Sequence, residues 1–153
     1  MILRPLYAAL LALSAGPALA QLSISPHLRS GEQVYRQVCV ACHETGVAHA
    51  PKFKDAQAWA PLIQEGQAVL TGHAWVGVRA MPAQGGDPKL TLVDFSRAVA
   101  YMASQAGGDW KDPDVPMMRR IIGEAEKRID HSIAESRKMK QHLQQLSRGK
   151  TPR

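Results

Sequence analysis

The chain has 153 residues and two cysteines, and both cysteines fall within five positions, Cys39-Val40-Ala41-Cys42-His43. That arrangement constrains the fold more than any other feature. Two cysteines cannot build a disulfide framework, nor supply four thiolates to a zinc or iron–sulfur site. The length allows one small domain. Aromatic residues make up 5% of the chain, and the 45% apolar share is weighted towards the first twenty positions. A domain this poor in large apolar side chains needs a further component in its interior.

Residues 1–20 begin Met1-Ile2-Leu3-Arg4, run almost without polar residues from Leu6 to Ala15, and close on Pro17-Ala18-Leu19-Ala20. A basic start, a short apolar run and an Ala-x-Ala close describe a secretory signal peptide cleaved after Ala20. The run is too short to span a bilayer, which takes about 20 apolar residues. Export to the periplasm is therefore expected.

Charge divides the chain beyond Ala20 into two parts. Residues 21–110 carry seven basic and seven acidic side chains, whereas 111–153 carry eleven basic and six acidic. The seven aromatic residues beyond position 20 all lie between Tyr35 and Trp110. The chain therefore divides into an N-terminal segment (21–30), a core domain (31–110) and a basic tail (111–153). Gly107-Gly108-Asp109-Trp110-Lys111-Asp112-Pro113 supplies turn and linker chemistry at the last boundary.

Hydrophobic spacing predicts helices and no strand alternation. Gly31 to Ala41 forms one helix with Val34, Tyr35 and Val38 on one side. Residues 55–75 form two short helices punctuated by Pro61 and Gly66. The segments 46–52 and 77–90 are loops. Leu92, Phe95, Val99 and Met102 line the last core helix, which starts at a Thr91–Asp94 capping box and stops at Gly107. The fold class is all-α with long loops.

Cys-x-x-Cys-His is the attachment sequence of c-type haem. Two thiols one helical turn apart can add to the two vinyl groups on one side of a porphyrin, and the following His43 is then carried beneath it to ligate iron. A thioredoxin-like pair would want a βαβ context, which is missing. Zinc would need two more ligands, for which His49 and His73 are loose candidates. Haem c, one per chain, bonded covalently to Cys39 and Cys42, fits best. Its iron needs a second axial ligand opposite His43. Met81, thirty-eight residues after His43, sits in the irregular loop Gly77-Val78-Arg79-Ala80-Met81-Pro82-Ala83. Pro82 restrains it to extended backbone, and methionine opposite histidine is a common pairing. His73 is the runner-up.

With these residues in place the chain resembles a class I cytochrome c of the short bacterial mono-haem branch, from about Gly31 to Gly107. The resemblance implies a small fold of three to five short helices around the covalent haem, here with a C-terminal helical extension. It implies that Gly31 and Tyr35 lie where the first helix crosses the last, against Tyr101. It also implies that the Pro51 carbonyl, in Ala50-Pro51-Lys52, orients His43. Ala58-Trp59-Ala60-Pro61 and Ala80-Met81-Pro82 match the same branch, the latter carrying the methionine ligand. One departure is that Gly85-Gly86-Asp87-Pro88 stands where many short members place a second cysteine pair. No disulfide then clamps the Met81 loop.

The implied function is single-electron transfer between redox partner proteins through the haem edge, with no acid, base or nucleophile constellation to suggest an enzyme. The alternative is a haem subunit of a periplasmic dehydrogenase docked through the tail. An open-site haem enzyme or gas sensor is the third reading.

In the tail, Met118, Ile122, Ala125, Ile129, Ser132, Ser136, Met139, Leu143 and Leu146 alternate at spacings of four and three. That is a heptad seam interrupted by serines. It reads either as a solvated basic helix or as an interaction helix for a partner protein, a second copy or an anionic membrane surface. The absence of Trp and Phe weakens the membrane version, and export argues against nucleic acid.

Overall fold

Ser30 opens the first helix by a capping box, which satisfies two of the backbone N–H groups that a helix start leaves without partners. Its hydroxyl accepts from Gln33 N–H at 3.2 Å and the Gln33 side chain accepts from Ser30 N–H at 2.8 Å. The computed structural model describes residues 28–149, so the signal peptide expected at 1–20 and the segment 21–27 lie outside the described residues. Helix α1 (Gly31–Val34) passes through a π-helical turn (Tyr35–Cys39) directly into α2 (Val40–His43). The chain thus stays helical two residues beyond the predicted Ala41, so the whole attachment motif is helical.

Helices α3 (Ala56–Glu65) and α4 (Gln67–Val76) meet at Gly66, whose φ of 89° breaks the helical path. Pro61 does not interrupt the chain as its type suggests; it lies inside α3. Proline there forfeits one hydrogen bond to the Gln57 carbonyl, but both residues are exposed, so water can take the carbonyl. Asp55 caps the start by accepting from Ala58 N–H at 3.1 Å, and the buried Trp59 anchors the inner face.

Helix α5 (Leu92–Gln105) crosses α1, and Gly31 makes the crossing possible: a Cβ there would lie 2.8 Å from both the Arg97 carbonyl carbon and Tyr101 Cβ. Tyr35 and Phe53 stack beside the crossing, centroids 4.1 Å apart, with Tyr101 tilted against both. Phe95, Val99 and Met102 are buried as their spacing predicted. Thr91 caps the helix by accepting from Asp94 N–H at 3.1 Å. The carboxylate of Asp94 does not complete a capping box, however. It grips Arg29, accepting from the backbone N–H at 3.2 Å and from two guanidinium nitrogens at 3.1 Å each. At the other end Gly107 takes φ 97°, and Gly108 N–H donates to Ala103 O at 2.9 Å, a Schellman close.

The buried interior reaches further than 31–110. Helix α6 (Val115–Ser147), capped by Asp114, lays its first half along α4. Ile121 is fully buried and Ala125 nearly so. Gly72 sets the closeness: a Cβ there would meet Ala125 N at 2.8 Å, Glu124 Cβ at 2.8 Å and Ile121 O at 2.9 Å. The tail is therefore not a helix packed on nothing, because small residues let two backbones touch. Gln67 Nε2 donates to Lys111 O at 2.8 Å and Arg97 pairs with Asp112 at 3.3 Å, which ties down the linker between α5 and α6. Beyond Ser132 the helix is exposed on all sides. No strand occurs among the described residues, only an isolated bridge between Val78 and Met81.

Candidate haem-binding site

The two thiols of the motif differ in environment. Cys39 is 8% exposed, facing the core, and Cys42 is exposed; neither is in a disulfide. Burial, with a smaller contribution from Cys42, pushes the Cys39 thiol up to about 11, because a thiolate is poorly solvated there. Cys39 lies in the π-helical turn and Cys42 in α2, three residues on. The helix thus carries one thiol inwards and leaves the other at the surface.

His43 ends α2 and is buried. Its Nδ1 donates to the Pro51 carbonyl oxygen at 2.9 Å. That bond sets the tautomer, leaving Nε2 as the free lone pair, the form an imidazole needs to bind a metal. The backbone closes the same loop: Phe53 N–H donates to the His43 carbonyl at 2.7 Å. Trp59 Nε1 donates to Lys52 O at 2.8 Å, and its ring lies 6.2 Å from the His43 ring, centroid to centroid. The segment 51–53 is therefore held from both sides. The resemblance matched Ala58-Trp59-Ala60-Pro61 to the branch but gave Trp59 no role; its bond to Lys52 is what the fold adds.

Met81 is half-buried and packs against the core cluster that includes Cys39. With no disulfide to clamp its loop, a tight turn does so. Val78 N–H donates to Met81 O at 3.1 Å and Met81 N–H donates to Val78 O at 2.9 Å. Arg79 takes φ 53° inside the turn, and Gly77, with φ 102°, opens it. A Cβ at Gly77 would lie 3.3 Å from Met81 O, so the turn approaches its own stem closely.

His73, the other candidate ligand, lies on α4, where its carbonyl accepts from Gly77 N–H at 3.1 Å. His49 is exposed in the loop after α2. No group of three or more His, Cys, Asp or Glu that could hold a metal ion occurs among the described residues, so the zinc reading gains nothing from the fold.

The donor set fits haem c. It offers two unpaired thiols on one helical stretch and a buried imidazole whose Nδ1 is taken by the Pro51 carbonyl, which leaves Nε2 to face a metal. It also offers a thioether on a braced turn beside the same core. Close by, the Tyr35 hydroxyl donates to Glu44 at 2.5 Å, which pins the residue after His43. Burial, then this bond and the Glu44 charge, push the Tyr35 hydroxyl well above the usual tyrosine range.

The chain is similar to known cytochromes c. The family described as cytochrome C oxidase, cbb3-type, subunit III, matches residues 26–102. Cytochrome c-555 of Chlorobaculum thiosulfatiphilum is 42% identical over 81 residues, covering 50% of this chain and 94% of that one. Cytochrome c5 of Azotobacter vinelandii is 39% identical over 59 residues, covering 37% of this chain and 71% of that one. A solved cytochrome c, from an electron transfer complex with nitrite reductase, is 45% identical with a TM-score of 0.48 and covers 50% of this chain and 93% of that chain. The similarity to c-555 spans nearly the whole of that protein and half of this one. The chain belongs to the class I cytochromes c, a family that carries covalently bound haem c.

Proposed function

We propose that the protein is a periplasmic electron carrier, not an enzyme, holding one haem c through Cys39 and Cys42 with His43 and Met81 as axial ligands. The observation that carries this reading is the His43–Pro51 hydrogen bond at 2.9 Å. It commits the histidine tautomer before any metal arrives. The relatives named as cytochromes c-555 and c5 support the same reading.

Each residue has a defined role. Cys39 and Cys42 anchor the group, and the exposure of Cys42 puts the attachment edge at the surface. His43 presents Nε2, and the Pro51 carbonyl, drawing on the Nδ1 proton, raises its basicity. Met81 is offered on a turn closed by its own backbone bonds with Val78. Trp59 and the surrounding core exclude water from the histidine side. Bound here, the haem would supply a one-electron couple at its iron. With His43 and Met81 both holding the iron, no position would be left for a substrate, and electrons would pass to redox partner proteins. No helix among the described residues is long and apolar enough to cross a membrane, and the leader at 1–20 supports export.

The test is spectroscopy of exported protein. Mass spectrometry should show one covalent haem per chain with the leader removed after Ala20. The oxidised protein should show the weak red-edge band of methionine-ligated haem, which Met81→Ala should abolish while opening the iron to carbon monoxide. Wild-type protein that lacks the band and binds carbon monoxide at neutral pH would instead be an open-site haem protein. Wild-type protein that lacks the band yet stays closed to carbon monoxide, and opens to it in His73→Ala but not in Met81→Ala, would transfer the ligand role to His73.

A further inference from the structure

Helix α6 is 33 residues long, but only its first half is packed. Its apolar side chains continue along a surface that nothing covers among the described residues. Ile122, Ile129 and Ile133 are 43%, 45% and 42% exposed, and Met139, Leu143 and Leu146 are 60%, 57% and 44% exposed. All but Ile133 follow the four–three spacing of a heptad seam, which on a straight helix drifts about 20° per heptad and becomes a continuous contact when two helices supercoil.

We propose that two copies of the chain associate through antiparallel pairing of their α6 helices over residues 122–146. Three observations select a second copy in this orientation. The first is occupancy. Along Ile121–Arg128 the helix already has α4 against one flank, so that half has room for a bare helix and not for another haem domain. The only bare helix this chain offers among the described residues is the second half of α6. A parallel pair would instead bring two α4-bearing halves, and the domains attached to them, to the same level.

The second observation is self-complementarity. An antiparallel pair centred between Ser132 and Ser136 sets Ile122 opposite Leu146 and Ile129 opposite Met139, while Leu143 falls level with Ala125, which α4 already covers. The two serines, which interrupt the seam, meet each other at the centre. Both exposed stripes are covered in one isologous interface, as a two-fold dimer requires. Ile133, on the flank of the seam, meets its own counterpart.

Charge is the third. Over 122–135 the helix carries four carboxylates, Glu124, Glu126, Asp130 and Glu135, against two cations, Lys127 and Arg128, whereas Arg137, Lys138, Lys140 and Arg148 follow Ser136 with no carboxylate among them. Antiparallel pairing lays the cationic end of each helix along the acidic portion of the other, with Glu126 flanking Lys140 of the second copy. The one like-charge apposition is Glu135 against its counterpart, and that side chain is within 3.4 Å of His131 on its own helix.

Sedimentation equilibrium of the haem-loaded chain at tens of micromolar should give twice the monomer mass. Ile129→Asp and Leu143→Asp should each return it to the monomer mass. Both sites are exposed, so the haem spectrum and helix content should not change. A nitroxide placed by Ser147→Cys in protein already loaded with haem reads the orientation. Antiparallel helices put the two labels about 40 Å apart, from 1.5 Å rise per residue over 26 residues, whereas parallel helices put them side by side. A monomeric wild type overturns the proposal, including one that binds vesicles of anionic phospholipid through the same stripe. A dimer that survives both Asp substitutions also overturns it, as do labels in close contact.

Discussion

The Trp59 indole N–H donates to the Lys52 carbonyl at 2.8 Å, one residue beyond the carbonyl that receives the His43 imidazole at 2.9 Å. The Pro51 carbonyl is backbone and cannot be deleted, so Trp59 is the side chain through which its position can be changed. Trp59→Phe keeps the ring in the core and removes only the donor. The cost to stability should be about 1 kcal/mol, the usual net worth of a hydrogen bond, measured by denaturant unfolding of the haem-loaded protein. A looser Pro51 leaves His43 a weaker base, which favours reduced iron, so the reduction potential should rise. An unchanged or lower potential would mean that Trp59 only fills space.

The crossing of α1 and α5 depends on Gly31. A methyl group there would lie 2.8 Å from Tyr101 Cβ and from the Arg97 carbonyl carbon, and backbone cannot swing aside as a side chain does. Gly31→Ala should cost about 1–3 kcal/mol, the range for overpacking. A midpoint of unfolding equal to wild type would show that the crossing can open without penalty.

Gly72 tests the other close approach. Its hydrogen faces the backbone of α6 at Ala125 and Ile121. Gly72→Ala should push α6 away from α4 and speed amide exchange over 117–128, while leaving the absorption of the haem domain as it was. Unchanged protection there would place the anchorage of α6 in the linker contacts of Lys111 and Asp112 instead.

The Tyr35 hydroxyl gives the fold an alkaline limit. Its folded-state value is raised by burial and by Glu44, whereas an unfolded tyrosine ionises near pH 10. The stabilisation is therefore complete below about pH 10 and is lost progressively above it, as the unfolded chain releases a proton that the folded chain retains. In Tyr35→Phe that part of the decline should vanish from a plot of unfolding free energy against pH. An identical alkaline slope in both proteins would contradict the assignment.

Several features were legible because their determinants are local. Cys39, Cys42 and His43 sit within five residues, so helical geometry alone places them relative to one another. The cap at Thr91 and the close at Gly107 bind backbone within a few residues, and spacing reveals the buried face of α5. Pro61 misled because a proline is tolerated where the freed carbonyl can reach water, and exposure is not written locally.

Other contacts join residues far apart in the chain. Asp94 looked like a capping partner for Thr91, but Arg29, sixty-five residues away, takes its carboxylate, because a charged fork outcompetes a single backbone N–H. The basic tail read equally as a solvated helix or as one that pairs with another surface, and Gly72 lets α6 approach α4 closely enough to bury Ile121. The sequence by itself determined the chemistry, two thiols and an imidazole on one helix, because that chemistry is short-range. Where the tail goes was settled by packing, since close approach depends on which small residue meets which backbone across the fold.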